Sequence, residues 1–373
     1  DSMSKGVQFL MKKNKIDVIM GTGKVKPGKK IEVTSADGKT EIVEGKNIMI
    51  ATGARARHLP NIPIDGEKVI EYRKAMSLDK QPKSMVVIGS GAIGVEFAYV
   101  YSAMGTKVTI VEYLPNVVPV EDEDVSKELA KQYKKMGIEI LTNSSVEKVD
   151  TKGKGCKVEV KTPNGNQTIE CDVVLSAAGV VANIENIGLE EVGIIVDKGK
   201  IIVNEWYETN MPGYFAIGDV TPGPALAHVA SAEGIICVEK IAGHHTQALD
   251  YSNIPGCTYC TPEISSVGMT EKKALEAGLE IKVGKFPFVA SGKATAAGAR
   301  DGFVKVIYDA KYGELLGCHM IGYNVTEMIA EAVMVRKLES TAHEVMKAVH
   351  PHPTISEAFK GATEAAYGEA VDL

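Results

Sequence analysis

Hydrophobic residues in this chain follow two periods, and the switches between them outline its elements. Over 3–13, Val7, Leu10 and Met11 recur at helical spacing, which predicts a helix. Short β-branched runs follow at 17–20, 31–34, 41–44 and 48–51, divided by turn signals such as Asp37-Gly38. This set predicts a β-meander that closes on Ile50-Ala51-Thr52-Gly53, a buried strand ending in small residues. A second cycle starts with the apolar run 85–88, passes through Gly89-Ser90-Gly91-Ala92-Ile93-Gly94 into a helical period, and ends in a β-branched run closed by Glu112. A helix over 124–136, a strand at 138–141 and meander strands at 146–149, 157–161 and 167–170 lead to 173–176 and Ala177-Ala178-Gly179. The two cycles share one plan, which argues for two copies of a nucleotide-binding design. Counted back from Gly53, the interval between Gly89 and Gly179 runs past Asp1. The first copy's glycine loop is therefore expected upstream of this sequence.

Beyond Gly179 a short apolar strand ends in Gly218-Asp219, and a helix of small and apolar residues runs over 229–241, opened by Ala227-His228. From about 253 the pattern is α+β. Strands are expected at 257–261, 282–288, 302–308 and 315–321, with helices at 270–278, 325–337 and after Pro353, then a loose tail over 368–373.

The chemistry concentrates at two places. In the glycine turn, Gly89 permits the tight bend, Gly91 lets a pyrophosphate approach the backbone, and Gly94 lets the helix pack closely, with phosphates at the helix N-terminus. Glu112 stands where an acid accepts hydrogen bonds from a ribose 2′-hydroxyl and repels a 2′-phosphate, so NAD is favoured over NADP. Glycines also serve ordinary turns, so the flanking strands, the helix and the terminal acid give the motif its weight. Near the C-terminus, His350-Pro351-His352-Pro353-Thr354-Ile355-Ser356-Glu357 holds two histidines rigid between prolines. Pro353 suits the first position of a helix, which brings Glu357 within reach of one ring nitrogen of His352 and leaves the other as a base. An equally good reading is a capping His and an acid that only favours the helix dipole. Asp219 has two readings as well, a ligand for ribitol or ribose hydroxyls at a strand's C-terminal edge, or a helix cap or turn acid. Glu96, in the first turns after the glycines, likewise has two readings, a site residue or a charge that only complements the helix dipole.

Composition narrows the classes. A formal charge of −6 with interspersed charges suits neither a nucleic-acid groove nor an anionic membrane surface. No apolar stretch is long enough to span a bilayer, and the lysine-punctuated first residues contain no signal-peptide core. Asp1 is not an initiator Met, so a processed, truncated or excised chain is expected. Six cysteines are few for 373 residues and point to a reducing compartment. Cys257 and Cys260 read as free thiols on opposite faces of a strand rather than as a metal pair, and no metal site is expected.

With these motifs assembled, the chain resembles the dihydrolipoamide dehydrogenases, flavin-dependent members of 2-oxo-acid dehydrogenase complexes, over essentially its whole length. Thr52-Gly53, the turn at 89–94, Gly218-Asp219 with Leu226-Ala227-His228, and Thr261-Pro262-Glu263 are landmarks shared with other disulfide oxidoreductases. The His-Pro-His-Pro-Thr-Ile-Ser-Glu run is the specific one. The resemblance implies an α/β fold of Rossmann-like nucleotide-binding domains with a C-terminal α+β dimerisation domain. Its expected parts are an FAD-domain remnant at 1–81, an NAD domain at 82–181, a central second part of the FAD domain at 182–252 and the dimerisation domain at 253–373.

The resemblance further implies that His352, oriented by Glu357, handles protons of dihydrolipoyl thiols at the flavin of the partner subunit of a homodimer. It implies that Thr52, Gly53 and Asp219 hold FAD, with Ala227 and His228 near its isoalloxazine. Gly89, Gly91, Gly94, Glu112 and Gly179 would serve NAD, with Ile93 and Glu96 bordering the nicotinamide pocket. The implied partner is the lipoyl domain of an acyltransferase component, and the implied setting is the cytoplasm, or the mitochondrial matrix in a eukaryote. Two departures stand out. No cysteines are spaced Cys-x4-Cys and the FAD fingerprint is missing, so the chain alone is expected to be inactive. Val180 also stands where relatives often carry Arg. The alternatives are a non-catalytic NAD-binding dimer and a relative of soluble pyridine nucleotide transhydrogenases, the latter opposed by the His352–Glu357 pair.

Overall fold

The computed structural model describes residues 2–372, which form two compact units, 2–55 with 181–249 and 56–180 with 250–372. In the first unit the meander is an antiparallel sheet of Thr22–Lys26, Lys30–Thr34 and Thr40–Glu44. The expected strand at 17–20 does not form, and Val18, Ile19 and Met20 are exposed. Pairing starts at Thr22 because the turn after Pro27, with Gly28 at φ +80°, sets Lys26 opposite Lys30. The lysines of Thr22–Lys26 hid this strand from a reading based on hydrophobic runs. Helix Ser2–Lys13 forms as expected but buries none of its residues.

The core of this unit gathers Val25, Ile48, Ile50, Leu189, Ile201, Tyr214 and Ala216. At its centre Ile48–Ile50 and Tyr214–Ala216 lie parallel, with Ile48 opposite Tyr214. The helix Ala227–Ile241 follows in the same unit.

The second unit contains a parallel sheet in the order Val69–Ile70, Val173–Ser176, Ser84–Ile88, Lys107–Val111, Glu139–Leu141. Met85, Val86, Val87 and Ile88 are buried in succession, as expected for a parallel strand covered on both faces. The neighbouring meander, Ser145–Asp150, Cys156–Thr162 and Gly165–Cys171, instead alternates. Cys156, Val158 and Val160 point inward, and Lys157 and Glu159 outward. Val69–Ile70 forms the edge of the parallel sheet, and 56–81 belongs to the second unit. Likewise 181–249 joins those first residues, so the first unit is assembled from two separated stretches of sequence.

The remainder of the second unit is an antiparallel sheet in the order Gly256–Thr258, Glu263–Gly268, Leu315–Gly322, Phe303–Asp309, Ile281–Pro287, with helices Val325–Lys337 and Glu357–Tyr367 packed on it. The strand expected over 257–261 stops at Thr258. Tyr259 gives its N–H to Glu96 and Pro262 has none to give, so the ladder cannot continue. Pro353 is not the first helical residue either. The helix starts at Glu357, with Ser356 as its N-cap.

Candidate functional site

The glycine turn is built as the spacing requires. Gly89 has φ +97°, and a Cβ there would stand 2.6 Å from the Ala177 carbonyl oxygen. A Cβ on Gly94 would overlap the Gly89 carbonyl and touch Val87 at 3.5 Å, so this glycine lets the helix approach both turn and strand. Gly91 differs, since nothing lies within 4 Å of where its Cβ would be. It is the N-cap of Ala92–Ala103 and supplies no side-chain cap, so the first helical N–H groups receive no bond from it.

Glu112 directly follows the next strand, Lys107–Val111, and is buried. Its Oε2 accepts from the Ser90 N–H at 2.8 Å and the Ser90 hydroxyl at 2.6 Å, and its Oε1 accepts from the Leu114 N–H at 2.8 Å. The acid therefore fixes the glycine turn as well as marking the edge of the crevice. A carboxylate has about four acceptor positions, so these contacts leave capacity for a hydroxyl. Ser90 escaped the sequence reading, although a hydroxyl inside the glycine motif was the available signal. Gly179, at φ +93°, follows Val173–Ser176 with open space beside it.

Ile93 and Glu96 are half-buried on the same helix. Burial raises the Glu96 carboxyl above its ordinary range, and the Tyr259 N–H, donated at 2.8 Å, only partly offsets this.

In the first unit, Thr52-Gly53 follows Ile48–Ile50 and Gly218-Asp219 follows Tyr214–Ala216. Because those strands are parallel and in register, both turns emerge at their C-terminal end, the usual ligand edge of such a sheet. The Thr52 hydroxyl donates to the Asn183 carbonyl at 2.6 Å, and the Asn183 amide returns a bond to the Thr52 carbonyl at 3.1 Å. Asp219 lies in a short 3-10 turn capped by Ile217, and the next helix is capped by Leu226, so it is not a capping acid. Two residues that sequence reasoning missed hold this turn. The Lys200 ammonium donates to the Asp219 carbonyl at 2.5 Å, and buried Glu233 accepts from the Gly218 N–H at 2.5 Å. An acid on the otherwise small and apolar Ala227–Ile241 was the signal for Glu233. Ala227 and His228 are exposed in the first turn of that helix.

The C-terminal pair closes as anticipated. His352 Nδ1 lies 2.9 Å from Glu357 Oε1, while Glu357 Oε2 accepts from the Thr354 N–H at 2.8 Å. Burial pushes the Glu357 carboxyl up, but the Thr354 N–H and His352 outweigh it and leave the group below its ordinary value. The His352 side chain is 79% exposed, with Nδ1 the ring nitrogen that meets Glu357. His350, in contrast, is nearly buried and pairs with Glu331 of Val325–Lys337 at 2.7 Å. Among the described residues no hydrogen bond joins His352 or Glu357 to the glycine turn.

Cys257 is half-buried and Cys260 buried. Burial pushes the Cys260 thiol up to about 12, and it lies 3.2 Å from the Pro262 carbonyl. Among the described residues no group of three His, Cys, Asp or Glu is arranged to hold a metal ion.

Comparison with known proteins gives this geometry its context. Residues 1–234 match the family model for pyridine nucleotide-disulphide oxidoreductases, and 254–363 match that family's dimerisation domain. Relatives include a dihydrolipoyl dehydrogenase of Zymomonas mobilis, 47% identical over 99% of this chain and 80% of its own length. A dihydrolipoyl dehydrogenase of Rhizobium etli is 46% identical with the same coverage of both chains. Among solved structures, LpdA of Mycobacterium tuberculosis superposes with a TM-score of 0.90 at 27% identity, over 97% of this chain and 80% of that one. The flavoprotein disulfide reductase RclA of Escherichia coli gives 0.87 at 27% identity, over 97% and 84%.

Proposed function

This chain belongs to the pyridine nucleotide-disulphide oxidoreductases, an FAD-dependent family, and is on its dihydrolipoyl dehydrogenase branch; from that premise we propose how its residues divide the work. NAD is the nucleotide of the glycine turn. When bound it accepts a hydride, and the part of this chain is to hold it. The open backbone at Gly91 and the uncapped helix N-terminus take the pyrophosphate. Glu112, steadied by Ser90, takes the adenine ribose and disfavours a 2′-phosphate. Gly179 leaves room at the mouth of the crevice, and Ile93 and Glu96 border the nicotinamide end.

Thr52, Gly53, Asp219, Ala227 and His228 suit the ribitol and ring end of FAD. The 373 residues hold only one GxGxxG sequence, at 89–94, so they offer no second such turn for the FAD pyrophosphate. His352 is the acid/base. Its Nδ1 bonds to Glu357, and Nε2 is free to take and return a proton of a dihydrolipoyl thiol. The substrate is the dihydrolipoyl group on a lipoyl domain of a 2-oxo-acid dehydrogenase complex. Relatives from bacteria and plant mitochondria support the cytoplasm or mitochondrial matrix as its setting.

The observation that carries this reading is the His352–Glu357 diad in the same chain as a glycine turn of NAD type, since a hydride-exchanging transhydrogenase has no need of such a diad. The 373 residues contain no Cys-x4-Cys, so the chain by itself should bind NADH but not turn over dihydrolipoamide with NAD+. Calorimetric titration is expected to give NADH binding at least tenfold tighter than NADPH. Equal affinities would remove the role given to Glu112. Normal turnover by the chain alone would contradict the requirement for a redox disulfide.

A further inference from the structure

One pair of cysteines belongs to none of these sites. Cys156 opens the strand Cys156–Thr162, Cys171 closes Gly165–Cys171, and the antiparallel register sets them directly opposite each other. Opposed residues of such a ladder share a face, with Cα atoms about 4.5–5.5 Å apart. That separation lies within the roughly 4.4–6.8 Å that disulfides span. Gly155 makes the approach possible, because a Cβ there would overlap the Cys171 carbonyl. Both cysteines are buried, yet both line a cavity of about 350 Å³, ample for water-sized molecules. Lys68 stands beside them, its carbonyl 3.8 Å from the Cys156 sulfur.

The hydrogen bond from the Cys171 thiol, aided by the Lys68 ammonium, holds Cys156 below the usual thiol range against the effect of burial. The same bond and burial hold Cys171 above it. One sulfur therefore ionises first and the other waits as a thiol, the arrangement of an attacking and a resolving cysteine.

We propose that Cys156 and Cys171 form a redox-active pair that closes to an intramolecular disulfide, with hydrogen peroxide as oxidant. The Cys156 thiolate attacks one peroxide oxygen. An S–O bond forms, the O–O bond breaks, and the departing hydroxide takes a proton to become water. Cys171 then gives up its proton, and its sulfur displaces the hydroxyl from Cys156. The S–S bond forms, the S–O bond breaks, and a second water leaves. Two electrons pass from the two thiols to one peroxide, which is reduced to two waters.

The test treats the purified chain with hydrogen peroxide, blocks remaining thiols with N-ethylmaleimide after denaturation, and maps non-reduced peptides by mass spectrometry. The expected product joins the Cys156 and Cys171 peptides with the loss of two hydrogens, leaves four of the six cysteines alkylated, and reverts with dithiothreitol. Cys171→Ser should leave a sulfenic acid on Cys156 that dimedone traps, and Cys156→Ser should give no adduct at Cys171. The wild-type peptide map decides the matter alone if either variant fails to fold. Six alkylated thiols after peroxide, or a disulfide engaging any other cysteine instead, overturns the proposal. Dimedone on Cys171 in the Cys156→Ser chain overturns the order of attack.

Discussion

Gly91 and Gly94 stand three residues apart in one motif and serve different ends. The space beside Gly91 is open, and its φ of −66° suits any residue, so Gly91→Ala should fold as the parent does. The added methyl would occupy room meant for a ligand, and NADH affinity should fall about tenfold, roughly 1.4 kcal/mol. Gly94→Ala instead forces a methyl against the Gly89 carbonyl, and overpacking of this kind costs about 1–3 kcal/mol. It should lower the melting temperature and NADH affinity together. Thermal melts paired with NADH titration check both. A fall in melting temperature for Gly91→Ala alone would reverse the assignment. Both glycines were legible in the sequence, because φ and close approach are local demands. The neighbours of Glu112 and His350 were not. Ser90 and Glu331 are fixed by where strands and helices come to rest, and no spacing rule links positions 331 and 350.

Between elements, the clearest feature is an ion cluster that joins the helix after the fingerprint sheet to the antiparallel sheet. Lys305, buried on Phe303–Asp309, reaches Asp122 at 2.8 Å, Asp124 at 3.0 Å and Glu271 at 2.6 Å. Asp122 is buried too, and it also caps Glu123–Lys135 by accepting from the Asp124 N–H. Burial pushes Asp122 up, but the Lys305 ammonium outweighs it and holds the carboxyl below its ordinary value. Lys305→Met would leave that carboxylate buried without its cation, a loss of about 3–5 kcal/mol. Urea unfolding should show it as a lower midpoint with an unchanged slope, and a shift under about 1 kcal/mol would mean that water replaces the ammonium. Acid acts in the same direction. A carboxyl whose folded pKa is depressed contributes stability above its unfolded value, near 3.9, and loses it as pH falls through the folded value. The cluster was invisible in the sequence because its members lie at 122, 124, 271 and 305 and meet only when two sheets pack.

For the whole molecule, the match of 254–363 to a dimerisation domain bears on assembly. Sedimentation equilibrium should return about twice the 39.9 kDa of one chain, and a monomer at micromolar concentration would contradict it. A dimer is also what the role proposed for His352 requires, since its side chain is 79% exposed in the single chain. Across the chain, the order of strands and helices was largely legible. It failed where tertiary contacts take over the backbone, as at Tyr259, whose N–H goes to Glu96, and at 17–20, which found no partner strand.

The sequence by itself determined the elements and the glycine turn, since hydrophobic period and backbone freedom are properties of neighbouring residues. It also determined the acid at 112 that follows the glycine turn and the His352–Glu357 pair, five residues apart and held by prolines. Only the tertiary structure decided that 1–55 and 181–249 form one unit, that Glu112 also fastens Ser90, and that Cys156 faces Cys171. Those outcomes depend on register and packing between distant segments, which no local pattern encodes. The glycine turn is local chemistry, and the groups that hold it in place are not.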